Sequence, residues 1–243
     1  MQYLGGKYRT WKEIARFLRA LRSEKQVYFE PFVGGAWVLQ GMYGERIASD
    51  LNEALITMWK SLQNGWIQPS ELQEWEYQHL KETQDPCNPL TAFAGFGCSF
   101  SGKWFGGYAK NNRGDDYIRN SRNSLVEIVP FIKGVNFEFR DYREFSPSGM
   151  LIYCDPPYQG MTGYGAVGKF DNIQFWEVMR QWSKLNTVVI SEYSAPQDFE
   201  CVYEIDTKTE LRTVNGRDNR TERLFMHESI SVGNHQPRQT SMF

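Results

Sequence analysis

Cysteine is scarce in this chain of 243 residues. Cys87, Cys98, Cys154 and Cys201 form no CxxC pair, so a zinc site of the usual spacing is not expected. The histidines, His79, His227 and His235, lie far apart in sequence and suggest neither a His-based triad nor a metal set. No apolar run reaches the length that spans a bilayer, and the first residues lack a basic-then-apolar signal segment. These absences lead to the expectation of a cytoplasmic protein with reduced thiols, no metal and no membrane partner. A basic excess is missing too. The formal net charge is −2, so any surface for a polyanion must be local. Internal repeats and low-complexity tracts are absent as well.

What is present suits a folded α/β protein. Apolar residues make up 41% of the chain and aromatics 15%, which excludes a disordered chain and suits one compact domain, or a core with one sizeable insertion. Arg9 to Arg22 has helical spacing, with Trp11, Ile14, Ala15, Leu18 and Leu21 on one face. Val27 to Glu30 reads as a short strand that runs into the turn Pro31-Phe32-Val33-Gly34-Gly35. Ala36 to Met42 can open a helix, Arg46 to Ser49 is a second strand ending at Asp50, and Asn52 to Leu62 is helical again. Strand, glycine turn, helix, strand and acid, in that order, form the front half of a doubly wound nucleotide-binding sheet.

The pattern breaks from Gln63 to Lys133, a polar, aromatic and glycine-bearing stretch that reads as an insertion with a ligand-contacting loop. Within it, between Ser101 and Asn123, Lys103, Lys110, Arg113, Arg119 and Arg122 outnumber Asp115 and Asp116, although a solvated loop would look the same. The α/β pattern resumes with strands at Val135 to Arg140 and Met150 to Cys154, a helix at Asn172 to Trp182, a strand at Thr187 to Ser191, and late strands at Cys201 to Ile205 and Arg223 to His227. A polar tail follows from Gly233.

The sharpest motif is Asp155-Pro156-Pro157-Tyr158, which follows an apolar strand and so falls at the carboxyl end of a sheet, where such folds bind ligands. An aromatic exocyclic amine is a poor nucleophile because its lone pair is delocalised. Asp155 and the carbonyl of Pro156 could accept both of its N–H bonds and favour a pyramidal nitrogen. The two prolines stiffen the turn, and Tyr158 offers a flat face to an extruded base. Taken alone, the four residues fit a rigid capped turn equally well. Glu30 to Gly35 supplies a second signal, because glycines after a first strand let a ligand approach the backbone. Asp50 ends the next strand, as an acid that binds ribose hydroxyls should, or as the N-cap of the Asn52 helix. Tyr3-Leu4-Gly5-Gly6-Lys7 is a third piece.

Together these blocks resemble the Dam-type, D12-class (alpha group) adenine-N6 DNA methyltransferases, from Tyr3 to about His227. Such proteins often belong to phages, prophages and restriction–modification systems. The resemblance implies a Rossmann-like methyltransferase sheet with an inserted, mainly helical target-recognition subdomain. Residues 1–62 and 134–232 would form the catalytic domain, 63–133 the DNA-binding insertion, and 233–243 a tail. It implies S-adenosyl-L-methionine as methyl donor, double-stranded DNA as substrate, base flipping, and a cognate restriction enzyme as a candidate partner. Tyr3, Lys7, Phe32, Gly34, Asp50, Asp141, Tyr142 and Asp155 would bind the cofactor, and Asp155, Pro156 and Tyr158 would hold the target adenine. Lys103, Trp104, Tyr108, Lys110, Arg113, Arg119, Arg122, Arg217 and Arg220 would meet DNA, with Trp104, Phe105 or Tyr108 as a wedge beneath the flipped base. The chain departs from the family's Phe-x-Gly-Gly-Gly in having Ala36 as the last residue, which is expected to start a helix without harm.

Rival readings are methylation of another amine (cytosine N4, RNA adenine or a protein amide) and a catalytically silent DNA-binding regulator. A nicotinamide dehydrogenase would want a fuller GxGxxG after the first strand, which this chain lacks.

Overall fold

The computed structural model describes residues 1–110, 116–158, 170–207, 212–213, 216–217 and 220–231. Its centre is a seven-stranded sheet. The strands in chain order are β1 (Tyr28–Glu30), β2 (Arg46–Asp50), β3 (Val135–Phe139), β4 (Leu151–Cys154), β5 (Thr187–Glu192), β6 (Phe199–Thr207) and, after a two-stranded ribbon of β7 (Arg212–Thr213) and β8 (Gly216–Arg217), β9 (Arg220–His227). Across the sheet the order is β3-β2-β1-β4-β5-β9-β6. The first five strands are mutually parallel, while β9 runs antiparallel to both β5 and β6. From β1 the chain steps outward to β2 and β3, then returns to place β4 on the other side of β1. That reversal opens a crevice at the carboxyl ends of β1 and β4. The arrangement is the α/β, doubly wound sheet that the motif order predicted.

Alternation along the strands explains why both faces are covered. Tyr28, Leu151, Tyr153 and Val189 pack into one core with Ile14 and Leu18 of α1 (Trp11–Leu21) and Leu55 and Trp59 of α2 (Glu53–Gln63). Their strand neighbours Phe29, Ile152, Cys154, Val188 and Ile190 face the other way, into a second core with Phe175, Met179 and Trp182 of α6 (Asn172–Ser183). Successive side chains point to opposite faces, so a parallel strand buried on both sides reads as a continuous apolar run.

Between β2 and β3 lie α3 (Glu74–Thr83), α4 (Pro89–Ala92), a π turn at Phe93–Gly97, a 3-10 turn at Phe100–Gly102 and α5 (Tyr117–Ile132). Ile118, Leu125, Ile128 and Ile132 recur at helical spacing on α5 and join the first core or pack against it. The Arg46 guanidinium caps the end of α5, donating to the carbonyls of Phe131 and Lys133. A short helix, α7 (Glu228–Ser231), follows β9. Among the described residues no helix is long and apolar enough to cross a membrane.

Two local expectations are corrected. Residues 36–42 do not form an α-helix. Ala36 has a left-handed backbone with φ of 55°, and only a 3-10 turn forms, at Leu39–Gly41. Left-handed backbone strains a residue with a Cβ, but Ala36 is fully buried in the first core, and that packing holds it there. The cap of α2 is Asn52, whose side chain accepts from Leu55 N at 3.0 Å. This leaves Asp50 available for another role.

Candidate active site

The crevice at the sheet's reversal deepens into a cavity of about 270 Å³. Among the segments that line it are three strand ends. β1 ends in Glu30 and the turn Pro31 to Gly35, β2 ends in Asp50, and β4 ends in Asp155. The N-terminal segment folds over the top, bringing Tyr3, Gly6 and Lys7 to the lining.

Close approach fixes the glycine turn. Gly34 has φ of +43°, and a Cβ there would stand 2.7 Å from the ring of Tyr3. No other residue suits that backbone against that ring. The Gly34 amide donates to Asp50 Oδ2 at 3.0 Å, and the Asn52 amide donates to Oδ1 at 3.0 Å. The Gly34 carbonyl accepts from Trp59 Nε1 at 3.1 Å. Asp50 therefore locks the turn while lining the cavity. Burial pushes its carboxyl up to about 6, although the backbone amides of Asn52 and Gly34 oppose the rise.

Beyond β3, Asp141 accepts from Arg143 Nε at 2.9 Å and from the Arg143 amide at 2.8 Å. The Arg143 hydrogen bonds hold its carboxyl below the ordinary range. Tyr142 packs edge and face against Phe32, Phe170 and Phe175, with ring centres 5.1, 6.2 and 5.9 Å apart. One wall of the cavity is therefore aromatic and another acidic.

At the other end Asp155 and Lys7 form a largely buried pair. Lys7 Nζ lies 2.6 Å from Asp155 Oδ1 and donates to the Tyr158 hydroxyl at 2.7 Å. The Lys7 side chain is 7% exposed and that of Asp155 19%. Burial raises the Asp155 carboxyl to about 6; Lys7 pulls it down, and Glu222 pushes it up. For Lys7, burial lowers the pKa, but Asp155 and Glu222 outweigh it and the net direction is upward. Tyr158 reaches further. Its hydroxyl donates to Glu222 Oε1 at 2.6 Å and lies 3.0 Å from Ser191 Oγ. Its ring meets Tyr193 edge-on at 4.7 Å and carries Lys7 Nζ 4.6 Å from its centre.

Sequence reasoning named Tyr3, Lys7, Phe32, Gly34, Asp50, Asp141, Tyr142 and Asp155 as cofactor contacts, and all eight line this one cavity. Of the turn residues, Pro157 lines the cavity, whereas Pro156 is buried beneath it. The sequence reading assigned no role to Glu30, Trp37, Phe96, Arg143, Phe170 or Asp171, which also line it. Glu222, Ser191 and Tyr193 were missed as well. The usable signal for Glu222 was strand alternation, since Glu222 points inward like buried Leu224 while Arg223 between them pairs with Glu204.

Of the nine expected DNA contacts, six have side chains among the described residues, and these six take different environments. Lys103 and Arg119 are exposed. Lys110 pairs with Glu74 on the surface, and Arg122 is half-buried. Trp104 packs against Phe96 and Phe105, each ring pair at 4.8 Å, and donates to Gln84 at 3.1 Å. Tyr108 donates to the Leu72 carbonyl at 2.5 Å, and Phe105 is 6% exposed. The three expected wedge residues therefore pack within the protein, while Phe100, at the tip of the same loop, is 61% exposed. Arg113 lies outside the described residues, as do the side chains of Arg217 and Arg220. Among the described residues no group of three His, Cys, Asp or Glu side chains gathers to hold a metal ion.

Fold and site together define a doubly wound α/β enzyme with a carboxylate at the carboxyl end of β4. Residues 3–90 match the model of a protein family described as D12 class N6 adenine-specific DNA methyltransferase. A curated DNA adenine methylase from Haemophilus influenzae is 26% identical over 198 residues, covering 68% of this chain and 67% of that protein. Among solved structures, the rRNA methyltransferase aviRa from Streptomyces viridochromogenes aligns with a TM-score of 0.40 and 12% identity, over 92% of this chain and 88% of its own. The family match and the curated relative support a Dam-type, adenine-specific DNA methyltransferase of the D12 class.

Proposed function

We propose that this protein transfers a methyl group from S-adenosylmethionine to the N6 amine of an adenine swung out of duplex DNA. The observation that carries this reading is the desolvated Asp155, paired with Lys7 in a cavity walled by aromatic rings and further carboxyls. Glu30, Asp50, Asp141, Asp155 and Asp171 line that cavity against Lys7 and Arg143. An acidic excess in a space shielded from water favours a cationic ligand, and a sulfonium that also bears an ammonium group fits it. Asp50 would hold the ribose hydroxyls, and Phe32 and Tyr142 would flank the cofactor's base. Bound S-adenosylmethionine supplies an electrophilic methyl group.

The chain's own residues do the rest. Asp155 and the Pro156 carbonyl accept the two N–H bonds of the amine, which localises its lone pair. As the nitrogen takes the methyl group and becomes cationic, the carboxylate stabilises the developing charge, and the nitrogen then loses one proton to it. Positioning supplies much of the remaining acceleration. Asp155 must be ionised to accept, so methylation should rise with pH through about 6 and level off above. Residues 1–62 and 134–232 carry this chemistry, and residues 63–133 contact the duplex, with Lys103 and Arg119 on its phosphates and Phe100 placed to fill the gap left by the flipped base.

The test is tritiated methyl transfer to unmethylated duplex DNA, with nucleoside analysis of the product. Label in N6-methyladenine is expected. Label in N4-methylcytosine, or in RNA or protein alone, would overturn the substrate, and absence of S-adenosylmethionine binding would overturn the reading entirely.

A further inference from the structure

We propose that Glu222, on the antiparallel strand β9, is a positioning residue for methyl transfer, which holds the Tyr158 hydroxyl and through it aims Lys7 at Asp155. The inference rests on the function proposed above. Glu222 is remote in sequence from every cofactor and catalytic block, and the sheet order brings it beside β5 and the end of β4.

A tyrosine hydroxyl has one proton to give. The Tyr158 hydroxyl gives it to Glu222 Oε1 at 2.6 Å, and Ser191 Oγ donates to the same oxygen. With its proton committed, the Tyr158 oxygen presents lone pairs to Lys7 Nζ at 2.7 Å. Lys7 is thereby held between Tyr158 and Asp155 Oδ1, and the incoming amine is assigned to the other oxygen of that carboxylate, Oδ2. If Glu222 lost its charge, the Tyr158 proton could turn to Asp155, and Lys7 would lean wholly on the same carboxylate. Both would compete with the substrate for its lone pairs.

Electrostatics points the same way. Lys7 lies 3.7 Å from Glu222 as well as 2.6 Å from Asp155, so one ammonium is shared between two carboxylates. The charged and titratable groups around Asp155 are Lys7 from the N-terminal segment, Glu30 from β1, Tyr153 from β4, Tyr158 from the turn after it, and Glu222 from β9. Tyr193, beyond β5, acts on Lys7. Of these, Glu222 is the carboxylate that pushes the Asp155 carboxyl up. The other donors to Glu222 are the neutral hydroxyls of Tyr158 and Ser191.

The decisive experiment compares Glu222→Gln and Glu222→Asp with the wild type in steady-state methylation from pH 5 to 9. Glu222→Gln should lower kcat by about 10- to 100-fold, the size expected for loss of a group that orients a reacting group. KM for S-adenosylmethionine should stay within about threefold. Its acid limb should move below the wild-type value of about 6, because the push on Asp155 is gone. Glu222→Asp keeps the charge but is one methylene short of Tyr158. It should leave the limb in place and lower kcat about tenfold. An unmoved limb in Glu222→Gln, or unchanged kcat in Glu222→Asp, would overturn the positioning role while the wild type still makes N6-methyladenine. A wild type that makes none would instead overturn the function on which the role rests.

Discussion

The cavity at the sheet's reversal and the loop at residues 93–110 treat their polar and aromatic side chains in opposite ways. In the cavity, Asp50, Asp155 and Lys7 are each fixed by hydrogen bonds or ion pairs from another segment, Asp141 is fixed by its neighbour Arg143, and all four converge on one space. In the loop, Phe96, Trp104 and Phe105 turn inward to pack on one another, while Phe100, Lys103 and Lys110 are exposed. A Cβ on Gly95 would stand 2.6 Å from Trp104, so even the loop's glycine serves close packing. Strand ends give an exact address to a side chain. A loop between helices gives only a neighbourhood.

Breaking the cavity at its centre should have the largest effect. Asp155→Ala removes the acceptor for the amine and strands Lys7 in a buried site. We expect kcat to fall at least about 1,000-fold, the upper range for losing one preorganised partner of a reacting group, with the fold retained by circular dichroism. Near-normal turnover would remove Asp155 from the chemistry. The pH profile sharpens the same point. Asp155 and Asp50 both titrate near 6 when folded, against about 4 in an unfolded chain. The folded state therefore binds more protons between those values, so stability without ligand should fall as pH rises from about 4 to 6, the same range in which activity climbs. Thermal denaturation at pH 4.5 and 7 checks the sign.

Asp50→Ala should come next. It removes both the lock on Gly34 and the proposed ribose contact. Calorimetric affinity for S-adenosylmethionine should weaken about 10- to 100-fold, equivalent to roughly 1.4–2.7 kcal/mol. An unchanged Kd would take Asp50 out of the cofactor site.

How much of this was legible in the sequence follows from the same contrast. The sheet was readable because Val188 to Ile190 and Leu151 to Cys154 are buried on both faces and so form unbroken apolar runs. The cavity's acids were readable because Asp50 and Asp155 end such runs. Ala36 misled because its left-handed backbone is imposed by packing and leaves no local signature. Helix α5 was hidden by Pro130 near its end and by polar residues at its start, although the spacing of Leu125, Ile128 and Ile132 carried the signal. Glu222 was missed because charge alone does not say which face of a strand a residue takes.

The smallest effects should come from the loop, and two variants separate its packing from its surface. Trp104→Ala should destabilise the fold by about 3 kcal/mol, the lower range for truncating a large aromatic, because the ring is half-buried against Phe96 and Phe105. Phe100→Ala should leave stability within about 0.5 kcal/mol, since the ring is exposed. It should weaken binding to duplex DNA by about three- to tenfold if the ring fills the gap left by a flipped base. Charge reversal at Lys103 should flatten the salt dependence of binding by about one phosphate contact. The same change at Lys110 should do less, because that ammonium already faces Glu74. Equal slopes for the two reversals, with Phe100→Ala binding like the wild type, would mean that this loop does not touch DNA. The contact would then have to come from another part of the surface around the cavity mouth.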